Sequence, residues 1–288
     1  MKNFEIFLTL TRLNKPIGFM LLFWPCLWGL TIAYEFSENN LIFYKFSFLF
    51  FLGAILMRSA GCIVNDILDR KIDLMVERTK NRPIASGQVS VKKALVLSAI
   101  LCLSAFFILI QFNQKTIILG LASMPFAFSY PLMKRFTYWP QLFLGFTFNY
   151  GLIMAWVSLN DDLSYYPIIF YLGAIFWTLG YDTIYGFQDI KDDEIIGVKS
   201  TSIKFKKNPK IFIFSCYLFF YFSLMLVGLL MAFSKFYFIF SLILLLQLFF
   251  FQVYSLNVDK PEDCIKRFKS NNILGLLVFI NILIGKIL

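Results

Sequence analysis

The sequence contains no histidine among its 288 residues. This excludes histidine-based acid–base catalysis, histidine metal sites and serine–histidine–aspartate triads. Charge is scarce as well. Only 15% of the residues are charged, against about 25% in an average soluble domain, so a water-soluble enzyme of ordinary composition is excluded. The five cysteines, Cys26, Cys62, Cys102, Cys216 and Cys264, stand singly, without a C-x-x-C pair. Four lie in or beside apolar segments, which points to buried free thiols rather than disulfides or zinc ligands. Acidic residues number 17 against 27 basic ones. In so apolar a chain the surplus of +10 reads as loop charge that sets membrane topology, and no nucleic-acid partner follows from it.

What the chain has in abundance is apolar length. Hydrophobic residues make up 59% of it, and the mean hydropathy is +0.73. A membrane-spanning helix needs roughly 20 mostly apolar residues. Charge clusters and turn residues divide the sequence into nine such runs, at 17–34, 42–64, 94–111, 116–133, 139–158, 164–186, 211–232, 236–256 and 271–287. The first run contains Pro25, is long enough to span and lacks a small-residue cleavage site, so it reads as a span rather than a cleavable signal. Pro16, Pro131, Pro140 and Pro209 fall at expected span ends. The expected fold is all-α: one polytopic transmembrane domain over residues 1–288, with nine helices in a bundle.

The basic residues orient this bundle. Counting from the N-terminus, alternate connections hold 23 of the 27, from Lys2, Arg12 and Lys15 through Arg58, Arg70 and Lys71 to Lys266, Arg267 and Lys269. The opposite side receives only Lys45, Lys115, Lys235 and Lys286. The positive-inside rule then places the N-terminus in the cytoplasm and the C-terminus across the membrane. The expected location is the inner, cytoplasmic membrane, with the charged connections facing the cytoplasm.

Acidic residues follow a different pattern. The connections at 65–93 and 182–210 hold nine of the seventeen carboxylates and follow the second and sixth spans. That interval suggests two four-helix halves, each presenting one acidic segment, plus a ninth helix. If the second helix continues beyond its apolar run, Asn65, Asp69 and Asp73 stand at about 0°, 40° and 80° around its axis, with Asp66 at about 100°. Carboxylates at i and i+4 repel one another, so this stripe is costly unless cations neutralise it. Hard oxygen ligands on one face suit Mg²⁺, which keeps several waters and bridges one or two carboxylates to a substrate phosphate. Pairing with Arg70, Lys71 and Lys80 at a solvated helix end would be the better account of a lone stripe. The second segment repeats the spacing with Asp189 and Asp193, and carries Asp182 two turns earlier. Two matched carboxylate groups on the same side can hold two or three Mg²⁺ ions and a diphosphate.

Cations accompany both groups. Arg78, Lys80 and Arg82 follow the first, Lys191 lies within the second, and Lys134 and Arg135 end the fourth span on the same side. Arginine offers a planar fork and lysine a point charge, both suited to phosphate oxygens.

At these residues the chain resembles the UbiA superfamily of intramembrane aromatic prenyltransferases, and within it the 4-hydroxybenzoate polyprenyltransferases of ubiquinone biosynthesis. The resemblance covers nearly the whole chain. Its motifs are R-L-N-K-P-I-G at 12–18, L-F-W-P-C-L-W at 22–28, N-D-x-x-D-x-x-x-D at 65–73 and R-T-x-N-R-P at 78–83. Y-P-x-M-K-R at 130–135, Y-D-T-x-Y at 181–185, D-x-x-x-D at 189–193 and G-x-K-S-T at 197–201 complete the set. At 186–188 the chain has Gly, Phe and Gln where the resemblance leads one to expect Ala, Met and an aliphatic residue.

The resemblance implies a nine-helix bundle around a central cavity that opens to lipid and is capped by cytoplasmic loops. It implies that Asn65, Asp69, Asp73, Asp189 and Asp193 bind Mg²⁺ with a polyprenyl diphosphate, and that Tyr130 and Lys134 contact the diphosphate. Arg135 falls at a basic position important for activity. The implied acceptor is 4-hydroxybenzoate, with homogentisate, dihydroxynaphthoate, haem or a lipid glycerol phosphate as rivals. Asp182 either orients the acceptor phenol and takes the ring proton or supports a metal ligand. Arg12 or Lys15 would meet the acceptor carboxylate. A cation transporter is the rival of another class, but it would carry its charges near the midplane rather than at span ends.

Overall fold

The computed structural model describes residues 2–36 and 40–288, with the side chains of Lys2 and Asn3 outside the description. Lys2, one of the residues used to orient the bundle, is therefore placed by its backbone alone. No strand occurs among the described residues, and the helices are α1 (Lys2–Thr11), α2 (Ile17–Ala33), α3 (Leu41–Asp73), α4 (Val91–Leu109), α5 (Gln114–Ser129), α6 (Met133–Phe136) and α7 (Pro140–Asn160). They continue with α8 (Tyr165–Gly186), α9 (Ile190–Ile196), α10 (Thr201–Lys204), α11 (Pro209–Leu230), α12 (Lys235–Leu245) and α13 (Pro261–Ile287).

Local chemistry sets many of the boundaries. Ser90, Asn113, Ser164 and Ser200 each accept a backbone N–H with their side chains at the start of α4, α5, α8 and α10. Pro140, Pro209 and Pro261 occupy the first turns of α7, α11 and α13, where the missing N–H costs nothing. Each expected apolar run falls on one of these helices. Among the described residues eight helical stretches have the length and hydropathy to cross a membrane, and α2 adds a shorter apolar helix of 17 residues.

Three features differ from the sequence expectation. The amphipathic α1 precedes the first apolar run and packs Leu10 with Ile63, Ile84 and Ala94. The final helix starts at Pro261, ten residues before its apolar run. The helix α12 passes into a π-helical stretch, Leu246–Tyr254, whose end is capped by Arg267 through Ser255 Oγ at 3.0 Å and Ser255 O at 3.1 Å.

The bundle faces outward with apolar side chains, including Leu95, Val96, Ile100, Leu103 and Phe107 of α4. With both faces apolar, burial alone cannot select partners, so close backbone approach and buried polar contacts do. At Gly29 a Cβ would stand 2.2 Å from the Leu152 carbonyl oxygen, so only glycine lets α2 and α7 touch there. At the centre Trp28 stacks on Phe170 and Phe220 and meets Trp177 at 4.9 Å. Three indole N–H groups hold α13 in place: Trp24 to Asn272, Trp28 to the Gly275 carbonyl, and Trp177 to Asn271, at 2.8–2.9 Å.

The length of α3 positions the site. Its 33 residues make about 50 Å of helix, well beyond a hydrocarbon core of about 30 Å. One end of α3 therefore emerges from the apolar layer and carries Asn65–Asp73 with it.

Candidate active site

At the charged end of the bundle, a polar cavity is lined by α3, the loop after it, the turn at Tyr130, the start of α7, the end of α8 and the segment around α9. Asn65, Asp69 and Asp73 face it from α3; Asp182, Asp189 and Asp193 face it from the other side. Behind it an apolar tunnel runs between α2, α3, α4, α5 and α7. Arg58 and Tyr130 line both spaces and mark their junction.

The two acidic segments meet through a cation of the first. Arg78 grips Asp189 with Nε at 2.9 and 3.0 Å and Nη2 at 2.6 Å. Lys134 pairs with Asp69 at 2.5 Å, and Arg82 Nη1 donates to both oxygens of Asp73 at 3.0 and 2.9 Å. Asp69 Oδ1 is buried without a hydrogen-bond partner. Asp182 and Asp193 line the cavity outside any side-chain ion pair among the described residues.

Local structure holds this arrangement. Thr79 Oγ1 donates to the Asp73 carbonyl at 2.9 Å and closes the turn after α3. Gly197 takes the left-handed φ of 79° that ends α9. The following backbone N–H of Lys199 then reaches the Lys134 carbonyl at 2.8 Å. Thr201 docks through its N–H on Gln141 Oε1 at 3.0 Å, and its hydroxyl meets that of Thr183 at 2.6 Å.

Not every residue singled out from the sequence reaches the cavity. Asp66, expected among the metal ligands, is buried beside Arg12 and Arg82 and does not line it. Arg12, expected at the substrate, is committed to that pair. Lys80 reaches only Glu77 on the surface, and Lys191 is exposed away from the lining. Arg135 lies outside the lining, bonding the Leu68 carbonyl at 2.7 Å and standing 3.7 Å from Asp69. Lys15, in the turn after α1, has its ammonium pKa lowered by partial burial and then by Arg12, Arg78, Arg82 and Lys269, so this side of the cavity is cationic.

Sequence reasoning had placed Arg58 with the connection after α3. The structure places it within α3 and half-buries it, its Cζ 5.1 Å from the Phe148 ring centre, its buried Nε without a hydrogen-bond partner and Tyr130 beside it. The available signal was an arginine inside an apolar run, which marks function by default.

Fold and site define a membrane-embedded enzyme for an amphiphilic substrate, with ionic chemistry at one end of an apolar tunnel. The UbiA prenyltransferase family profile matches residues 22–282, and the chain belongs to that family. The mitochondrial 4-hydroxybenzoate polyprenyltransferase of Caenorhabditis elegans is 41% identical over 287 residues, covering 99% of this chain and 80% of the relative. The 4-hydroxybenzoate octaprenyltransferase of Nitrosomonas eutropha is 37% identical over 287 residues, covering 100% and 99%. A solved UbiA homolog from Archaeoglobus fulgidus, bound to DMAPP and Mg²⁺, superposes with a TM-score of 0.71 at 16% identity, covering 98% and 99%.

Proposed function

We propose that this chain transfers a polyprenyl group from a polyprenyl diphosphate to 4-hydroxybenzoate, at the ring carbon ortho to the hydroxyl, in ubiquinone biosynthesis. The observation that carries this reading is the shared wall at Arg58 and Tyr130, where a cavity faced by two carboxylate groups adjoins an apolar one. A diphosphate fits the first space and a polyprenyl tail the second. The names of the relatives support the acceptor.

The donor set fits Mg²⁺. Asn65, Asp69, Asp73, Asp189 and Asp193 offer hard oxygens, and Asp69 Oδ1 lacks a hydrogen-bond partner. No three acidic side chains among the described residues converge tightly enough to enclose an ion alone. An ion here would complete its shell with diphosphate oxygens and water, the habit of Mg²⁺. When bound, Mg²⁺ supplies positive charge that offsets the departing diphosphate.

The chain's own groups do the remaining work. Lys134, Arg78 and Arg82, with Tyr130, hold the diphosphate oxygens and stabilise their growing charge as the allylic C–O bond breaks. The apolar walls keep water from the allylic cation. Arg58 receives the acceptor carboxylate. Asp182 faces the same space and is placed to orient the phenol or take the ring proton. Arg135 acts through Asp69 and the α3 backbone. The distribution of basic residues supports a cytoplasmic N-terminus and a cavity facing the cytoplasm from the inner membrane. The equal spacing of the acidic segments supports two four-helix halves and a ninth helix.

The test is prenyl transfer by purified protein in liposomes, with radiolabelled 4-hydroxybenzoate and a long-chain polyprenyl diphosphate. Label should enter lipid only with Mg²⁺, stop with EDTA, and fall on the order of 100-fold or more in Asp69→Asn and Asp189→Asn. Diphosphate release without labelled lipid would mean another acceptor. A folded sample that neither binds nor turns over the donor would refute the reading.

A further inference from the structure

The carboxylate set apart from the cavity has a place of its own. Asp66 is 2% exposed, and both its oxygens accept from Arg12 Nη2, at 2.9 and 2.8 Å. Its Oδ1 also accepts from Arg82 Nη1 at 3.1 Å, the same nitrogen that donates to Asp73. The contacts form one line, Arg12–Asp66–Arg82–Asp73, running from the end of α1 through the interior to the cavity. Arg12 adopts φ 58° to join it. A left-handed backbone is uncommon for a long side chain, and such strain persists only where the surroundings fix it.

We propose that Asp66 is a positioning residue rather than a metal ligand: it keeps Arg82 aimed into the cavity when Asp73 turns from Arg82 to a metal-bound diphosphate. This rests on the diphosphate reading above. Once Asp73 has turned away, one carboxylate faces two guanidinium groups, so the Arg12–Asp66–Arg82 group keeps one positive charge in excess. Arg12 occupies Asp66 from the end of α1. Arg82 is the member that lines the cavity, so the excess charge lies where an anion would sit. Without Asp66, loss of the Asp73 contact on ligand binding would leave Arg82 free to swing out. With it, the guanidinium is held from behind, and its remaining N–H groups are available to phosphate oxygens.

The experiment is a double-mutant cycle on the full-length protein in detergent, using Asp66→Asn, Arg82→Ala and the double variant. It reads calorimetric binding of inorganic diphosphate with Mg²⁺, and steady-state kinetics over a Mg²⁺ titration. Asp66→Asn should weaken diphosphate binding on the order of tenfold, the scale of one hydrogen bond to a charged group. KM for the prenyl diphosphate should rise in parallel while kcat stays within about twofold. The Mg²⁺ concentration for half-activation should not move. In the Arg82→Ala background the same substitution should add less than about twofold, because coupled partners are not additive. Asp66→Glu should recover part of the binding, and it replaces Asp66→Asn in the cycle if that variant does not fold. Additive losses, or a raised Mg²⁺ requirement, overturn the positioning role and return Asp66 to the metal ligands. Folded wild-type protein that binds no diphosphate overturns the underlying reading, and this proposal with it.

Discussion

Replacing Arg58 with glutamine separates acceptor binding from donor binding. Arg58 is half-buried at the junction of the two spaces with its Nε out of contact with solvent, forms no salt bridge among the described residues, and has Asp182 within electrostatic reach. Burying a guanidinium in a membrane bundle without a bound anion is expensive. Its space is protected, since a Cβ at Gly18 would stand 2.8 Å from Arg58 Nε. An acceptor carboxylate would supply the missing anion. A hydrogen bond to a charged group contributes about 1.5–3 kcal/mol, and about 1.36 kcal/mol is a factor of ten. Arg58→Gln should therefore raise KM for 4-hydroxybenzoate roughly 10- to 150-fold, with KM for the prenyl diphosphate nearly unchanged. The assay compares 4-hydroxybenzoate with 4-hydroxybenzamide, which keeps the phenol and loses the charge. Wild-type protein should prefer the acid strongly, and the variant should treat the two nearly alike. An unchanged acid-to-amide preference, or a rise confined to the donor KM, would refute the assignment.

Two further outcomes follow from contacts elsewhere. Arg78→Ala removes the fork that joins the two acidic segments and should lower kcat/KM on the order of 100-fold. Lys80→Ala should stay within about twofold in the same assay, because Lys80 and its partner Glu77 are 44% and 81% exposed and such pairs contribute little. Trp177→Phe preserves the ring packing but leaves the buried Asn271 Oδ1 without its indole donor. Stability should fall by about 1–3 kcal/mol, measured by thermal unfolding in detergent, with activity retained at lower temperature.

The fold was legible because membrane helices must satisfy their own backbone and must be apolar for about 20 residues. The nine runs and their short breaks translate directly into helices. What the runs could not show was how far a helix continues into water. That is why α3 gains nine residues past its apolar part and α13 gains ten before it, and why the amphipathic α1 was missed. The site was legible through spacing: Asn65, Asp69 and Asp73 at i, i+4 and i+8 face one cavity, as that periodicity requires. Asp66, only about 20° beyond Asp73 around the helix, falls on the same stripe by angle, and only the structure shows Arg12 and Arg82 holding it away from the cavity. Cation partners were the least legible part. Lys80 is as close in sequence to the acidic stripe as Arg78 and Arg82, and only the turn closed by Thr79 decides which of the three points inward.

That turn bears on how a buried stripe of carboxylates is tolerated. Carboxylates stacked along a helix repel one another, and burying them raises the cost. Lys134, Arg82 and Arg78 meet Asp69, Asp73 and Asp189, with Arg82 shared between Asp73 and Asp66. These pairs fold the loop after α3 and the turn at Tyr130 onto the bundle and make the acidic stripe tolerable. They leave Asp182 and Asp193 outside any side-chain ion pair among the described residues, with Arg58 within electrostatic reach of Asp182. A metal-bound diphosphate fits such a site because it brings both charges at once. On the proposed reading Asp69, Asp73 and Asp189 would hold the metal, and Lys134, Arg82 and Arg78, which line the same cavity, would meet the phosphate oxygens. On that reading the cations that pair with the carboxylates are the ones that would hold the leaving group, the preorganisation that electrostatic catalysis requires.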